Sequence, residues 1–336
     1  MSAPLVVFRC DGGPQIGAGH VTRCLALAEA FEAAGWASAF AVGPDTLKAV
    51  PALAVTGLPV VLLDPGVDDA FALRQSFPDG CTLAVIDHYG RDERNERSLR
   101  GWAQRILAFD DGTGRRHDCD FLLDSAADDS AYRGLVPEQA RLLLGPRYAL
   151  VRQAFLTRRA SALSRRDGRE ISEVLVSFGA TDPWNATVRV LGPITTALPK
   201  ARITVVLSSA APHLASLRHE WGAQVDFALD VLDMAAVMER ADLAIGASGA
   251  SSYERAVLGL PTIAVVCADN QKGLSALIVK NGAAIDGGEL GDGLPNRLMA
   301  ILNGLSKHPS RLSRTAQAAA GMVDGLGAGR VIEAAT

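Results

Sequence analysis

The sequence predicts an α/β protein made of two similar domains that face each other across a cleft. Its 336 residues are enough for two domains with separate cores. Hydrophobic residues make up 49% of the chain but aromatic residues only 5%, so Ala, Val, Leu and Ile must build those cores. Such cores suit helices packed on a mostly parallel sheet. Short apolar runs that alternate with helical patterns indicate the same class.

Four apolar runs in the first half predict strands, at residues 5–8, 58–63, 83–86 and 105–109. After the first run, apolar residues recur at helical spacing from Val21 to Phe31, and Gly35 is well placed to end that helix. Residues 157–170 are rich in arginine and poor in apolar side chains, which predicts a linker between the domains. A phosphate-binding basic patch is the alternative interpretation of this charge run.

A second sheet is predicted from the runs at 173–179, 203–207, 243–245 and 262–266. We therefore expect domains at 1–156 and 171–336, with the last helix as a candidate to pack back on the first domain. Ligands of open α/β sheets bind outside the carboxyl ends of the strands. The loops that follow these runs are accordingly where we expect the chemistry.

Charge, cysteine spacing and glycine spacing exclude several classes of function. The net charge of −4 argues against a general nucleic-acid binder. The five cysteines are scattered without a C-x-x-C pair, which predicts neither a zinc site nor disulfides and favours a reducing cytoplasm. No signal peptide and no apolar run of membrane-spanning length is present, so no membrane insertion is expected. The glycines at positions 12, 17 and 19 do not have the G-x-G-x-x-G spacing of a dinucleotide-binding protein, and the lysine of a Walker P-loop is missing. Both classes are therefore disfavoured.

The glycine loop that precedes His20 is the most informative segment of the first half. Gly17 and Gly19 allow a sharp turn and a close approach of a ligand to the backbone. His20 stands where the first strand gives way to a helix, which would present a titratable imidazole to the cleft. A histidine that caps the helix or faces solvent is the alternative. Asp87 ends another strand and would face the same cleft, either in the chemistry or as a structural carboxylate.

In the second half, a strand is expected to end at Gly246 and a helix to begin near Ser251. Backbone N–H groups of residues 250–252 would hold a diphosphate without a metal. The two carboxylate oxygens of Glu254 would accept both hydroxyls of a ribose, with helix capping as the alternative.

Two further loops carry polar side chains at the ends of predicted strands. Asn270 and Gln271 have amides suited to sugar hydroxyls or acetamido groups. Gly179 is placed to lie against a nucleotide, and Asp182 either binds or caps the next helix.

These residues resemble the UDP-sugar hydrolases of the pseudaminic acid pathway (PseG type), which are relatives of the MurG-like GT-B glycosyltransferases. The resemblance runs nearly end to end and rests on Asp11 together with residues 15–28, 87–89, 117–124, 143–152, 178–183, 253–255, 258–261, 268–271 and 323–328. It implies two Rossmann-like domains, the first with the general base and the sugar pocket and the second with the UDP site.

The activity that the resemblance implies is hydrolysis of UDP-2,4-diacetamido-2,4,6-trideoxy-β-L-altropyranose to UDP and the free sugar, with inversion, in a pathway that serves flagellin glycosylation. His20 is then the general base, and neither a metal nor another cofactor is required. The only partner expected is the UDP-sugar. The implied substrate-binding residues are Asp11, Gly17, Gly19, Arg23, Asp87, Tyr89, Gly179, Asp182, Ser251, Ser252, Glu254, Asn270 and Gln271.

The sequence departs from the family pattern at residues 112–114 and at 125–126, which either alter the sugar pocket or only its surface. Two other functions stay open. A glycosyltransferase of the same architecture would pass the sugar to a hydroxyl acceptor, and a non-catalytic module would only bind the nucleotide sugar. Release of UDP with water alone distinguishes the hydrolase from both.

Overall fold

The computed structural model describes residues 3–13, 16–128, 130–167 and 170–336. The chain divides into two compact units. Unit 1 comprises Met1–Gln153 with Gly325–Thr336, and unit 2 comprises Ala154–Asp324.

Unit 1 is built on a seven-stranded sheet in which every strand pair is parallel. Its strands are β1 Leu5–Cys10, β2 Ala37–Val42, β3 Val60–Leu62, β4 Cys81–Asp87, β5 Ala103–Phe109, β6 Phe121–Asp124 and β7 Arg141–Leu144. Its helices up to this point are α1 Gly19–Ala33, α2 Thr46–Ala49, α3 Pro51–Ala54, α4 Asp69–Ser76 and α5 Glu93–Ser98. A single 3-10 turn follows at Pro146–Tyr148. The order across the sheet is β3-β2-β1-β4-β5-β6-β7.

Unit 2 repeats this plan with a six-stranded parallel sheet in the order β10-β9-β8-β11-β12-β13. Its strands are β8 Glu173–Ser177, β9 Arg202–Leu207, β10 Asp226–Leu229, β11 Leu243–Ala247, β12 Thr262–Val266 and β13 Ile285–Glu289. Its helices are α6 Gln153–Ser164, α7 Ala186–Ala197, α8 Leu214–Trp221, α9 Met234–Arg240, α10 Ser251–Val257, α11 Lys272–Lys280, α12 Leu294–Lys307 and α13 Ser310–Met322. A 3-10 turn at Asp269–Gln271 precedes α11.

The last helix, α14 Gly327–Ala335, belongs to unit 1. Its buried residues Ala328, Val331, Ala334 and Ala335 join the same apolar cluster as the buried face of α1. Gly327 is required at this junction, because a Cβ there would meet the carbonyl oxygen of Ala149 at 2.2 Å. The short segment before α14 thus brings the chain back from unit 2 to unit 1.

The segment interpreted as a linker is largely helical and belongs to unit 2. Its arginines are not a solvated charge run. Arg159 donates to carbonyls at the C-terminal ends of α10 and α13, and the buried Arg166 donates to carbonyls at the ends of α9 and α10. Such carbonyls lack intrahelical partners, and a guanidinium satisfies them. Composition does not reveal this role: the described residues of the predicted linker at 157–170 lie within unit 2, which begins at Ala154. Gly168 and Arg169 lie outside the described residues.

In both sheets the order of the strands reverses at an equivalent place. This place lies between β1 and β4 in unit 1 and between β8 and β11 in unit 2. Parallel sheets of this kind bind ligands at that reversal, outside the carboxyl ends of the strands. The loop with His20 follows β1, and Asp87 ends β4. Gly179 follows β8, and Ser251 follows β11. These four predicted site residues therefore lie at the reversal points of their own sheets.

Candidate active site

The glycine loop after β1 delivers His20 to the carboxyl edge of the unit 1 sheet. Gly13 and Gly17 exchange backbone hydrogen bonds of 3.1 and 2.8 Å, and Gly17 has a φ of +74° that favours glycine. Helix α1 begins at Gly19, where a side chain would meet nothing within 4 Å. His20 is the next residue and is 6% exposed. Residues 14 and 15 of this loop lie outside the described residues.

His20 forms a close pair with the buried carboxylate of Asp87. Nδ1 of His20 lies 2.5 Å from Oδ1 of Asp87, which is 1% exposed. Burial raises the pKa of the Asp87 carboxyl, but the charges of Arg23 and His20 outweigh burial and hold that pKa far below its ordinary value. Asp87 is therefore an ionised acceptor, so Nδ1 of His20 carries the hydrogen. Nη2 of Arg23 also approaches Nδ1, but at 3.3 Å it is the weaker contact.

Arg23 stands one turn after His20 on α1 and holds two carboxylates in place. It donates to both oxygens of Asp87 at 2.6 Å and to the oxygens of Asp111 at 2.8 and 3.1 Å. Its guanidinium also lies over the ring of Phe109, 4.8 Å from the centroid. Burial lowers the pKa of the guanidinium, but Asp87 and Asp111 raise it well above its ordinary value. Bidentate pairing of this kind fixes direction as well as distance.

Tyr89 completes the cluster around His20. Its ring meets the imidazole edge to face, with 4.6 Å between centroids and an interplanar angle of 80°. Its hydroxyl donates to Oδ2 of Asp111 at 2.8 Å. His20, Arg23, Asp87 and Tyr89 thus lie together, and Asp111 joins them. Asp111 is absent from the predicted site residues, although its position two residues after the end of β5 was a usable signal.

Arg115 ties the loop after β4 to the loop after β5. Its Nη1 donates to the carbonyls of His88, Tyr89 and Arg91 at 2.9, 2.9 and 2.5 Å. Its Nη2 donates to the carboxylate of Asp110 at 3.0 Å. The backbone that carries Tyr89 is therefore held by a side chain from the neighbouring loop.

Asp110 is also paired with the buried His117. Nδ1 of His117 lies 2.7 Å from Oε1 of Glu96, and its Nε2 lies 3.7 Å from Oδ2 of Asp110. Burial lowers the pKa of His117, but Asp110 and Glu96 outweigh burial and raise that pKa to about 9. His117 is consequently an imidazolium between two carboxylates at neutral pH, which is a structural role rather than that of a base.

Asp11 is saturated by its neighbours. Its carboxylate accepts hydrogen bonds of 2.6 Å from both Arg9 and the amide of Gly43. Nε2 of His88 lies 3.0 Å from it. The amide of Gly90 donates to Nδ1 of His88 at 2.8 Å, so the His88 proton is on Nε2 and points to Asp11. Burial raises the pKa of Asp11, but His88 and Arg9 hold it well below its ordinary value. We interpret Asp11 as a residue that fixes the loops after β1, β2 and β4.

Tyr132 joins the loop after β5 to the loop after β6. The hydroxyl of Tyr132 donates to Asp124 at 2.5 Å and accepts from the amide of Gly112 at 3.3 Å. The other oxygen of Asp124 accepts from the amide of Ala126 at 2.8 Å. Both loops are therefore held by hydrogen bonds to one Tyr132–Asp124 pair.

In unit 2, the first two residues of α10 are serines that share one arginine. Arg255 donates to the hydroxyls of Ser251 and Ser252 at 3.1 and 3.0 Å. The amide of Ser252 donates to the carbonyl of Gly249 at 2.9 Å, so this N–H is already used within the turn. Glu254 is half-buried on the first turn of α10. The hydroxyl of the partly exposed Ser251 is thus better placed than the amide of the buried Ser252 to meet a ligand.

Gly179 and Asp182 lie in the loop after β8. Gly179 is exposed with a φ of +93° and leaves open space beside the backbone. Asp182 is 1% exposed and accepts 2.9 Å hydrogen bonds from the amides of Ala186 and Thr187, at the start of α7. Of the two roles predicted for Asp182, the geometry therefore matches helix capping, because both oxygens are buried and engaged.

Asn270 and Gln271 lie in the turn after β12, the other neighbour of β11. The side-chain oxygen of Gln271 accepts from the amide of Cys267 at 2.9 Å, which leaves its NH2 group directed elsewhere. Asn270 is exposed. Within the described ranges, no group of three or more His, Cys, Asp or Glu side chains forms a set that would hold a metal. No helix in the described parts of the chain is long and apolar enough to cross a membrane.

Two curated proteins resemble the chain over most of its length, although no protein-family model matches it. The spore coat polysaccharide biosynthesis protein SpsG of Bacillus subtilis is 27% identical over 330 residues, which cover 96% of this chain and 94% of that protein. The UDP-2,4-diacetamido-2,4,6-trideoxy-β-L-altropyranose hydrolase of Campylobacter jejuni is 26% identical over 289 residues, which cover 84% of this chain and 98% of that protein.

Solved structures share the architecture at low sequence identity. MurG of Acinetobacter baumannii superimposes with a TM-score of 0.64 at 15% identity, covering 98% of this chain and 99% of MurG. The UDP-GlcNAc 2-epimerase of Neisseria meningitidis, bound to UDP-GlcNAc, gives a TM-score of 0.61 at 11% identity and covers 98% of both chains. The prediction of two Rossmann-like domains is confirmed. So is the predicted resemblance: the chain is similar in sequence to the UDP-diacetamido-sugar hydrolase and has the GT-B fold of the MurG-like glycosyltransferases.

Proposed function

We propose that the protein hydrolyses the anomeric C–O bond of UDP-2,4-diacetamido-2,4,6-trideoxy-β-L-altropyranose, releasing UDP and the free sugar with inversion, in pseudaminic acid biosynthesis. The observation that carries the proposal is the 2.5 Å contact between Nδ1 of His20 and Asp87. This contact sets the tautomer of the imidazole and leaves Nε2 as the basic nitrogen. A base of this kind suits the activation of water at neutral pH.

In the proposed reaction, Nε2 of His20 takes a proton from water while the water oxygen forms a bond to the anomeric carbon. The bond between that carbon and the oxygen of the β-phosphate breaks, and UDP leaves with the bonding electrons. Attack from the face opposite UDP gives inversion. Asp87 stabilises the imidazolium that forms, as the carboxylate does in other carboxylate–histidine pairs. Arg23 keeps Asp87 ionised and correctly directed, so it acts as a positioning residue.

Unit 1 supplies the base and the sugar pocket in this proposal, and unit 2 binds UDP. Tyr89 and the loop of Gly17 and Gly19 would line the sugar pocket beside His20. The hydroxyls of Ser251 and Ser252 would meet the diphosphate, and Glu254 the ribose.

Gly179 would allow the nucleotide to approach the backbone, and the amides of Asn270 and Gln271 would contact the sugar. Two similar proteins support a UDP-sugar as the substrate class. The Campylobacter jejuni protein is named as a hydrolase of this UDP-sugar, and the Neisseria meningitidis epimerase was solved with UDP-GlcNAc bound.

A glycosyltransferase is the second candidate, because structural neighbours include MurG and a glycosyltransferase of Rickettsia africae. The two candidates differ in the acceptor. A hydrolase releases UDP with water alone, whereas a transferase releases it only after a hydroxyl acceptor is added. A non-catalytic module would bind UDP-sugars without releasing UDP.

The deciding experiment follows the anomeric NMR signals of candidate UDP-diacetamido sugars with the purified protein. The proposal predicts that the UDP-sugar signal is lost and that UDP appears. The first free sugar to appear should be the anomer whose configuration is opposite to that of the substrate. The absence of UDP release from any of these sugars in water would reject hydrolysis.

We also propose that the protein is located in the cytoplasm and that its pathway supplies a sugar for flagellin glycosylation. The five free cysteine thiols support only the first of these.

A further inference from the structure

Arg255 places a positive charge beneath the loop between β11 and α10, and no carboxylate of the described residues forms an ion pair with it. Its side chain is among the largest fully buried side chains, at 1% exposure. Its acceptors are all neutral, namely the carbonyl of Ala247 at 2.7 Å and the hydroxyls of Ser252 at 3.0 Å and Ser251 at 3.1 Å. Its Nε is buried and has no hydrogen-bond partner among the residues that the structure describes.

This arrangement is unusual because buried charges are normally paired. Among the described residues, no carboxylate forms an ion pair with Arg255, whereas Arg23 and Arg9 in unit 1 each hold two aspartates. Burial lowers the pKa of Arg255 to about 10, opposed only by its neighbour Glu254. An anion that reached this loop would therefore meet a cation that is not yet engaged in an ion pair with a described carboxylate.

The hydrogen bonds from Arg255 also direct the two serine hydroxyls. A hydroxyl has one hydrogen to donate, and when it accepts from a guanidinium that hydrogen must point elsewhere. Ser251 and Ser252 are both held in this way. Arg255 thus turns two hydroxyls into donors that face away from the guanidinium.

The end of β11 is shaped to admit the guanidinium. Gly246 pairs with Ser177 of β8, and a Cβ on Gly246 would meet the Ser177 carbonyl oxygen at 2.3 Å and Nη1 of Arg255 at 3.2 Å. A larger residue would displace one or the other. The cation therefore lies where strand order reverses in the unit 2 sheet, which is the place where such sheets bind ligands.

We propose that Arg255 is a positioning residue for the diphosphate of the nucleotide, which supplies a counter-charge and accepts hydrogen bonds from the Ser251 and Ser252 hydroxyls that Arg255 directs. The inference rests on the proposed function, because it assumes that unit 2 binds a nucleoside diphosphate. It makes Arg255 necessary for binding of the diphosphate, separately from the residues that contact the ribose and the base.

The test compares UDP, UMP and uridine as ligands of the wild type, Arg255→Met and Arg255→Lys. Calorimetry measures UDP and UMP, and ligand-observed NMR measures uridine. Arg255→Met should weaken UDP roughly 10- to 100-fold, the range for hydrogen bonds to charged groups, and leave uridine within about twofold. Arg255→Lys keeps the charge and should restore part of the UDP affinity. Arg218→Met, on the exposed surface of α8, is the matched control and should change nothing.

The outcomes separate this inference from the proposed function. If Arg255→Met binds UDP as tightly as the wild type does, the inference is overturned while hydrolysis by the wild type still stands. If the wild type binds no UDP, both fail. Should Arg255→Met not fold, the double variant Ser251→Ala with Ser252→Ala decides instead. It removes both hydroxyls, and an unchanged UDP affinity in that variant would equally overturn the inference.

Discussion

His20 and Asp87 are 67 positions apart in the chain, yet Nδ1 of the imidazole lies 2.5 Å from Oδ1 of the carboxylate. One residue follows β1 and the other ends β4, and these strands pair directly, with Cys10 opposite Asp87. The backbone ladder of the sheet therefore fixes both groups near each other. Sites built on regular elements hold their geometry more precisely than sites built on loops alone.

Replacing His20 should remove catalysis without removing nucleotide binding. We expect His20→Ala and His20→Asn to lower turnover by a factor on the order of 10² to 10⁴, because general-base assistance is lost. UDP affinity, measured by calorimetry, should stay nearly unchanged. His219→Ala, on the exposed part of α8, is the matched control. Near-normal turnover in either His20 variant would remove His20 from the mechanism.

Asp87→Asn tests whether the carboxylate, rather than the imidazole alone, matters. An amide neither stabilises an imidazolium nor enforces the Nδ1–H tautomer, so turnover should fall roughly 10³- to 10⁴-fold. Near-UV circular dichroism checks that the variant is folded. A folded variant with less than about a tenfold loss would show that Asp87 has only a packing role.

Glu254→Ala tests the ribose contact. If the carboxylate accepts the ribose hydroxyls, UDP binding should weaken by roughly 1.5–3 kcal/mol. Calorimetry with UDP measures the change, and thermal unfolding reports on the fold. An unchanged UDP affinity in a folded variant would reassign Glu254 to the electrostatics of the first turn of α10.

The pKa of His117 predicts how stability depends on pH. This pKa is about 9 in the folded protein, above the ordinary value near 6.5, so the folded state binds the proton more tightly. The stabilisation is fully present below about pH 6.5 and is lost as the pH rises through about 9. Urea unfolding should therefore show a lower midpoint at pH 9.5 than at pH 6. The difference should shrink in His117→Gln, and an equal difference in that variant would assign the effect to other groups.

The proposed route through water and carbon predicts independence from metal and a specific isotope pattern. Hydroxyls, backbone amides and helix-end dipoles would stabilise the departing UDP, so activity should persist in excess chelator. In ¹⁸O-labelled water, the label should appear on the anomeric oxygen of the sugar. Label in UDP would mean attack at phosphorus and would contradict the mechanism, even though the fold assignment would stand.

The local features of the fold were readable from the sequence because they depend on short-range patterns. The strands at 83–86 and 105–109 correspond to β4 and β5, and the helix that starts at Ser251 is α10. Buried parallel strands read as continuous apolar runs. Strand β2 was not predicted, since its alternation of alanine with Ser38, Phe40 and Val42 gives a weak apolar signal.

The candidate site was readable only in part. His20 and Asp87 each stand at the end of a predicted element, where a titratable side chain is noticeable. The bond between Arg23 and Asp111 spans 88 positions, and no local pattern encodes a contact of that range. The burial of Arg255 beneath Ser251 was hidden for a similar reason, since a charged residue in a helix is usually exposed.

The return of α14 to unit 1 has a consequence for synthesis. Unit 1 is discontinuous in the chain, so its first 153 residues leave the ribosome long before residues 325–336 that finish its core. Until then the apolar residues of α1 lack their contacts with the cluster residues of α14, such as Val331. Unit 2 is continuous and is complete first. We therefore expect the unit that was begun earlier to be the later one to acquire its full stability. Deletion of α14 should therefore lower the stability of unit 1, and not that of unit 2, in thermal unfolding.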